Sequence, residues 1–180
     1  MKKISILVIT TLLISSCSSS TQESSLGFVP GCDQIKLLDT ADKSTPMLCL
    51  DGSGSINFHQ LKGPMVINVW GSWCEGCKEE MPYFVDLYET QAFESGQIQL
   101  LGINVEESSK EDAIEYVKKS GMSWPHLEDF NGISKSIFGP GVPVTWFINE
   151  EGENTATKIG AYTNKKQLFE QVEESFGIKL

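Results

Sequence analysis

Residues 64–82 read PMVINVWGSWCEGCKEEMP, which joins an apolar segment, a short turn and a Cys-x-x-Cys motif. The continuous apolar run at 64–70 is typical of a strand that is buried on both faces of a sheet. Residues 71–73 predict a turn between two ordered segments. From Cys74 the pattern predicts a helix that continues to residue 93, with a kink where Pro82 interrupts it. The segment therefore predicts a strand–turn–helix unit with two thiols at the start of the helix.

The rest of the chain alternates apolar runs with amphipathic stretches and shows no internal repeat. Further strands are predicted at 98–105, 142–149 and about 155–160, helices at 108–120 and 163–176, and an N-terminal hairpin at 50–58. The order of the main elements is then β-α-β-α-β-β-α, in which parallel strands give way to a hairpin. The sequence therefore predicts an α/β fold with a central mixed sheet, helices on both faces and an N-terminal hairpin extension.

The composition limits the classes of partner. The chain has 180 residues and a formal net charge of −10, with 24 acids against 14 bases, and every base is a lysine. Because a basic surface patch is lacking, no nucleic-acid partner is expected. Without arginine, the chain also lacks the guanidinium fork that binds phosphate or carboxylate groups through two hydrogen bonds.

The N-terminal segment is typical of an export signal rather than of a folded element. Two lysines precede an apolar stretch at 4–14, which is too short to span a bilayer as a stable anchor. The residues Ile-Ser-Ser-Cys at 14–17 resemble the lipobox of bacterial lipoproteins. The resemblance implies lipidation of Cys17 and attachment to the extracytoplasmic face of a bacterial membrane. We expect a signal peptide at 1–16, the lipidated cysteine and a flexible tether at 17–30, and one folded domain at 31–180.

Five cysteines are present, at 17, 32, 49, 74 and 77. Lipidation of Cys17 would leave four, and export would place them where disulfides persist. Adjacency pairs Cys74 with Cys77, which leaves Cys32 with Cys49 for a structural disulfide. The alternative for the second pair is two buried free thiols.

The position of the Cys-x-x-Cys motif at the start of a helix favours thiol–disulfide exchange. Free amide hydrogens and positive partial charge there stabilise a thiolate, so Cys74 is predicted to be the nucleophile. Cys77 lies one turn deeper on the same face and can attack a mixed disulfide formed on Cys74. This exchange needs no cofactor beyond the redox-active disulfide itself, and no metal is expected.

Three segments together resemble one family. NVWGSWCEGCKEEMP (68–82) resembles the active-site signature of the thioredoxin superfamily, in particular of the TlpA/ResA-like membrane-tethered thiol–disulfide oxidoreductases. LKGPMVINVWGSWC (61–74) is similar to the strand that leads into that signature, and GVPVTWFINEEGE (141–153) is similar to the cis-proline segment, with Pro143 at the cis position. The resemblance covers about residues 31–176 and implies a thioredoxin-like fold.

The resemblance also implies an activity and its partners. Members of this branch reduce disulfides of exported proteins, including apocytochrome c, and receive electrons from a membrane donor. Trp73, Val142 and Pro143 occupy positions that contact the substrate polypeptide, although Trp73 is equally typical of simple packing. A thiol–disulfide oxidoreductase of the protein-disulfide reductase type is therefore expected.

Two residues depart from thioredoxin itself. Asn68 stands six residues before Cys74, where thioredoxin has a buried aspartate. An asparagine at this position is usual in the TlpA/ResA-like branch. The branch pattern makes Glu80 the proton acceptor for Cys77, the alternative being a solvated helix acid. Glu75 lies between the two cysteines, where an acid disfavours the thiolate and makes the couple more reducing. The acid between the cysteines favours a reductant. The alternative is an oxidant on the same fold, and only the reduction potential of the Cys74–Cys77 couple decides between them.

Two other functions occur on this fold. A peroxiredoxin-type peroxidase needs a threonine or serine three residues before its cysteine and an arginine, but Gly71 holds that position and arginine is missing. A metal delivery module, for copper above all, would use Cys74, Cys77 and a histidine such as His126. The two-residue spacing of the cysteines and the neighbouring Pro143 favour redox chemistry over metal delivery.

Overall fold

The computed structural model describes residues 29–40 and 46–180. The predicted signal peptide, Cys17 and all but the end of the predicted tether lie outside the described residues. Within these two ranges, no helix has the length and apolar character needed to cross a membrane.

The centre of the molecule is a seven-stranded mixed sheet. Its strands are β1 (Pro46–Cys49), β2 (Ser55–Asn57), β3 (Met65–Trp70), β4 (Gln99–Val105), β5 (His126–Asp129), β6 (Val144–Ile148) and β7 (Asn154–Ile159). The order across the sheet is β2-β1-β5-β4-β3-β6-β7. Strands β3, β4 and β5 are parallel, whereas β1 and β6 run antiparallel to their neighbours in the sheet. The prediction of a mixed central sheet is confirmed.

Within the described ranges, five α-helices accompany the sheet: α1 (Glu75–Tyr88), α2 (Gln91–Glu94), α3 (Lys110–Ser120), α4 (Ser134–Phe138) and α5 (Lys165–Phe176). The start of α3 follows the predicted cap, because the Ser109 hydroxyl accepts the Asp112 amide hydrogen at 3.1 Å. Gly121 ends α3 with a φ of 73°, a conformation that glycine adopts without steric cost.

Two apolar layers cover the two faces of the sheet. Side chains of α1, α3 and α5 pack with Val66 and Trp70 on one face. The neighbouring positions Ile67 and Val69 point to the other face, where they pack with the β1–β2 hairpin and α4. Helices therefore lie on both faces, but the second face carries only the short α4.

The structure corrects four details of the sequence prediction. The helix from Cys74 ends at Tyr88 rather than continuing to residue 93, because Thr90 turns its amide and hydroxyl back to the Leu87 carbonyl. Strand β5 and helix α4 were not predicted, since both are only four or five residues long and rich in polar side chains. The hairpin begins at Pro46 rather than residue 50, because the Gly-Ser-Gly segment forms its turn and not a strand.

Candidate active site

The disulfide between Cys74 and Cys77 lies at the N-terminus of α1, with an S–S distance of 2.11 Å. Cys74 is the N-cap residue, and its sulfur accepts the Cys77 amide hydrogen at 3.1 Å. Cys74 is 6 % exposed and Cys77 is 0 % exposed. An incoming thiolate or disulfide therefore reaches Cys74 first. Once the pair is reduced, the same helix start stabilises a thiolate on Cys74.

Glu80 lies one turn beyond Cys77 in α1 and is completely buried. One carboxylate oxygen accepts the side-chain amide of Asn68 at 3.0 Å, and the other accepts the Tyr162 backbone N–H at 2.9 Å. Burial raises the pKa of Glu80 to about 7, against the opposing effects of these two hydrogen bonds and of Lys158. Glu80 is thus no solvated helix acid, and a carboxyl group with this pKa can exchange a proton near neutral pH.

Asn68 reaches Glu80 because of the alternation along β3. Val66, Asn68 and Trp70 point to the face that α1 covers. The sequence showed that Asn68 cannot accept a proton, but it gave no sign that Asn68 holds the residue that can. The second oxygen contact comes from Tyr162, which is 82 positions away from Glu80 in the sequence.

Pro143 directly precedes β6 and follows a cis peptide bond with Val142. A Cβ atom at Gly76 would lie 3.6 Å from Pro143 Cδ, so the proline ring packs beside the residue between the two cysteines. The Pro143 carbonyl accepts the Gly160 amide hydrogen at 2.9 Å, which ties the proline segment to the end of β7. The structure therefore brings Pro143 and the disulfide together at one edge of the sheet.

Trp73 is 50 % exposed next to the disulfide. Its indole N–H donates to the Val105 carbonyl at 3.2 Å, and the ring folds back over Gly71. A Cβ atom at Gly71 would lie 2.6 Å from that indole nitrogen, so glycine is required there. Trp73 consequently offers a fixed, half-exposed aromatic surface beside Cys74.

Glu107 is a residue of this region that the sequence analysis missed. Its carboxylate accepts the Ser72 hydroxyl at 2.7 Å and the Asn104 side-chain amide at 2.8 Å. It also accepts the backbone N–H of Ser72. These bonds anchor the turn before Cys74 to the end of β4, and no motif in the sequence marked them.

His126 does not join the cysteines. Its ring lies between Trp70 and Trp124, with centroids 5.5 and 5.6 Å away, and its Nδ1 accepts the Trp70 indole N–H at 3.3 Å. Burial lowers the pKa of His126 to about 3, so the ring is neutral. Across residues 29–40 and 46–180, the one close group of three His, Cys, Asp or Glu side chains consists of Cys32, Cys49 and Asp51, and its two sulfurs are bonded to each other and offer no thiolate ligand.

Cys32 and Cys49 are joined by a second disulfide, with an S–S distance of 2.04 Å. Cys32 begins a short 3-10 turn and Cys49 ends β1. Both are buried in the apolar layer on the face opposite α1, whereas Cys74 and Cys77 belong to the layer that contains α1. The two disulfides therefore lie on different faces of the sheet.

Comparison with known proteins agrees with this architecture. The sequence matches the AhpC/TSA family over residues 41–155. It is 31 % identical to the sporulation thiol-disulfide oxidoreductase A of Bacillus subtilis over 112 residues, which are 61 % of this chain and 66 % of that protein. It is 33 % identical to the thiol-disulfide oxidoreductase ResA of the same organism over 110 residues, 60 % of each chain. The matched part thus spans less than two thirds of either relative.

The fold matches a solved structure as well. The crystal structure of StoA from Bacillus subtilis superimposes with a TM-score of 0.57 and 26 % sequence identity, covering 72 % of this chain and 96 % of StoA. The predicted thioredoxin-like fold is confirmed.

Proposed function

The chain belongs to the AhpC/TSA family, and from that membership and the geometry of the site we propose that it is a thiol–disulfide oxidoreductase acting on exported proteins. The observation that carries the proposal is the arrangement of three side chains at the start of α1. Cys74 caps the helix and is the more accessible sulfur, Cys77 is buried behind it, and the Glu80 carboxyl group with a pKa of about 7 follows one turn later. The names of the relatives support the same activity.

In the first step, the Cys74 thiolate attacks one sulfur of a substrate disulfide. The substrate S–S bond breaks, its second sulfur leaves as a thiolate that takes up a proton, and a mixed disulfide forms on Cys74. Amide hydrogens at the start of α1 stabilise the attacking thiolate before this step. In this proposal the substrate segment lies against half-exposed Trp73 and the Val142 backbone, with the buried Pro143 ring shaping the surface beneath them.

In the second step, the Cys77 thiol loses its proton to the Glu80 carboxylate and attacks the Cys74 sulfur. The Cys74–Cys77 disulfide forms, the mixed disulfide breaks, and the remaining substrate sulfur leaves as a thiolate that takes up a proton. The substrate thus gains the two electrons that the protein loses. Asn68 and Tyr162 keep the carboxylate in place for this transfer. Reduction of the protein by a dithiol donor in the membrane completes the cycle.

The direction of the reaction is proposed to be reduction, with apocytochrome c as one substrate to be tried. Glu75, between the cysteines, disfavours the thiolate form and biases the couple towards the reducing side. The side chain of Glu75 is 79 % exposed and lies 3.5 Å from the Lys78 ammonium, so solvent and this ion pair limit the bias.

The anchor is proposed from the sequence alone: lipidated Cys17 holds the domain at the extracytoplasmic membrane face. A Cys17→Ser chain should appear in the soluble fraction or remain unprocessed. Because an unprocessed chain keeps its apolar signal and can still sediment with membranes, the deciding measurement is the mass of the mature wild-type N-terminus. If Cys17 of the wild-type protein carries no lipid, this part of the proposal is wrong.

Trapping tests the activity. A Cys77→Ser variant can attack but cannot resolve, so it should accumulate mixed disulfides with exported proteins in the producing cell, visible on non-reducing gels and lost on reduction. Cys74→Ser is the matched control and should capture nothing. If Cys77→Ser captures no more protein than Cys74→Ser, the chain does not exchange disulfides with exported proteins.

A further inference from the structure

The segment that follows β7 contacts three separate parts of the site. The Gly160 N–H donates to the Pro143 carbonyl at 2.9 Å, and the Tyr162 N–H donates to Glu80 at 2.9 Å. Between them, the Ala161 methyl group would lie 3.4 Å from a Cβ atom on Gly76. The conformation of residues 160–162, hereafter the β7–α5 loop, therefore sets the position of the Glu80 carboxylate and of the proline segment together.

Lys158 at the end of β7 organises this loop. Its ammonium donates to three consecutive carbonyl groups, those of Ile159 at 2.9 Å, Gly160 at 2.9 Å and Ala161 at 3.3 Å. An ammonium has three hydrogens, so these three contacts use its full donor capacity. The nitrogen also lies 5.5 Å from the centroid of the Tyr162 ring.

The backbone is bent around the ammonium. Gly160 has a φ of 81°, which glycine adopts without steric cost, and its carbonyl meets the ammonium together with those of its two neighbours. Carbonyl dipoles aimed at one point repel each other unless a cation lies between them. Removal of the positive charge should therefore let this loop relax.

We propose that Lys158 is a positioning residue of the redox site, which acts by holding the β7–α5 loop so that the Tyr162 N–H meets the Glu80 carboxylate. The role given to Glu80 rests on the proposed function, whereas the contact between loop and carboxylate does not. Lys158 lies outside both the Cys-x-x-Cys segment and the cis-proline segment.

The charge of Lys158 and the hydrogen bond that its position supports both favour the ionised form of Glu80. The charge lowers the pKa of Glu80, opposing burial, as the Tyr162 and Asn68 hydrogen bonds do. The other titratable groups that interact with Glu80 are the Tyr162 phenol and Tyr116 on α3, and the pKa values of both tyrosines are raised, so they stay neutral. Cys77 on α1 does not titrate while it is bonded to Cys74. Lys158 is therefore the cation that acts on this carboxyl group within the described ranges.

The test compares three variants of the full chain in the oxidised state, without substrate. Lys158→Met keeps the aliphatic stem and removes the ammonium, and Lys158→Arg keeps the charge and the donors. Lys166→Met is the control, because Lys166 is exposed and pairs with the exposed Glu170 at 3.4 Å on α5. Carbon-13 NMR of labelled glutamate carboxyl groups gives the pKa of Glu80, and hydrogen exchange gives the protection of the Tyr162 amide.

Lys158→Met should raise the pKa of Glu80 by about half a unit to one unit, because a nearby positive charge and a hydrogen bond are weakened together. Tyr162 amide exchange should accelerate by about 10-fold or more, as expected for a local opening that costs less free energy. Lys158→Arg should titrate and exchange like the wild type, and so should Lys166→Met.

Two results would overturn the proposal: unchanged Tyr162 exchange in Lys158→Met, since loss of the charge alone already shifts the Glu80 titration, or a Lys158→Arg variant that behaves like Lys158→Met. Both readings are independent of disulfide exchange. An inactive wild type whose Lys158→Met variant still shows these shifts would refute the proposed function and leave the positioning role intact.

Discussion

The two disulfides in the described part of the chain are similar in burial and opposite in surroundings. Cys32 and Cys49 are 4 % and 1 % exposed, against 6 % and 0 % for Cys74 and Cys77. Cys74 sits at the positive end of α1 with an amide hydrogen directed at its sulfur. The Cys32 and Cys49 sulfurs instead lie within 4.8 Å of an oxygen of the Asp51 carboxylate.

The difference shows what makes a disulfide reactive in this fold. Reduction produces thiolates, and these are stabilised by a helix start but destabilised by a neighbouring carboxylate. The Cys74 pair also has a buried carboxyl group that can take a proton near neutral pH, in Glu80. Accessible area hardly separates the two pairs, whereas local electrostatics separates them clearly.

The largest expected effect follows from removing the attacking sulfur. Cys74→Ser should lower the turnover of a disulfide substrate by at least about 1000-fold, because a serine hydroxyl is not ionised at neutral pH and cannot form the mixed disulfide. The double variant Cys32→Ser with Cys49→Ser, assayed at a temperature where it is folded, should keep turnover within a few-fold of wild type. Equal losses in both variants would remove the distinction between the two pairs.

The free energy of unfolding should depend more on the Cys32–Cys49 bond than on the Cys74–Cys77 bond, the reverse of the order expected for turnover. The Cys32–Cys49 bond joins residues 17 positions apart, and closing such a loop stabilises the folded state by about 3 kcal/mol. The double serine variant should lose this amount in urea unfolding. Reduction of wild-type protein under conditions that open only Cys74–Cys77, a link over three positions, should cost clearly less. A stability of the double variant equal to wild type would contradict the structural role.

Glu80 gives a pH dependence of stability with a defined sign. Its pKa is about 7 in the folded state and 4.5 in the reference state, so the folded protein binds the extra proton between these values. Stability should therefore fall as pH rises from about 4.5 to 7, by on the order of 3 kcal/mol. Glu80→Gln should lack this fall. His126, whose folded pKa is lowered to about 3, contributes the opposite slope below pH 6.5 in both proteins and cancels in the difference.

The kinetic effect of Glu80 is expected to be smaller. Glu80→Gln should reduce turnover by about 10- to 100-fold at pH 7 to 8 and remove the limb in which the rate falls as the carboxylate becomes protonated below pH 7. Glu79→Gln is the matched control, since Glu79 is the exposed neighbour on the same helix. Wild-type rates for Glu80→Gln between pH 6 and 8 would show that another group takes the Cys77 proton.

The strands and helices of the fold differ in how far the sequence predicts them. Strand β3, strand β4 and helix α3 follow from continuous apolar runs and the Ser109 cap, which are local signals. Strand β5 was missed because His126, Glu128 and Asp129 are polar yet buried, so their burial depends on the completed sheet.

The same distinction holds inside the site. The Cys-x-x-Cys motif and Pro143 lie in segments that resemble a known family. The contact of Glu80 with Tyr162 arises only when the loop after β7 packs against α1. Such contacts depend on tertiary packing and leave no periodic pattern in the sequence.

A redox titration that reads each pair separately tests most directly which disulfide exchanges electrons. The protein is equilibrated in dithiol buffers of known potential, alkylated, digested and analysed by mass spectrometry. The Cys74–Cys77 pair should become reduced at a potential above about −300 mV, while Cys32–Cys49 should stay oxidised to potentials below that value, as structural disulfides do. Reduction of Cys32–Cys49 at the same potential as Cys74–Cys77, or at a higher one, would contradict the assignment of a redox role to one pair and a structural role to the other.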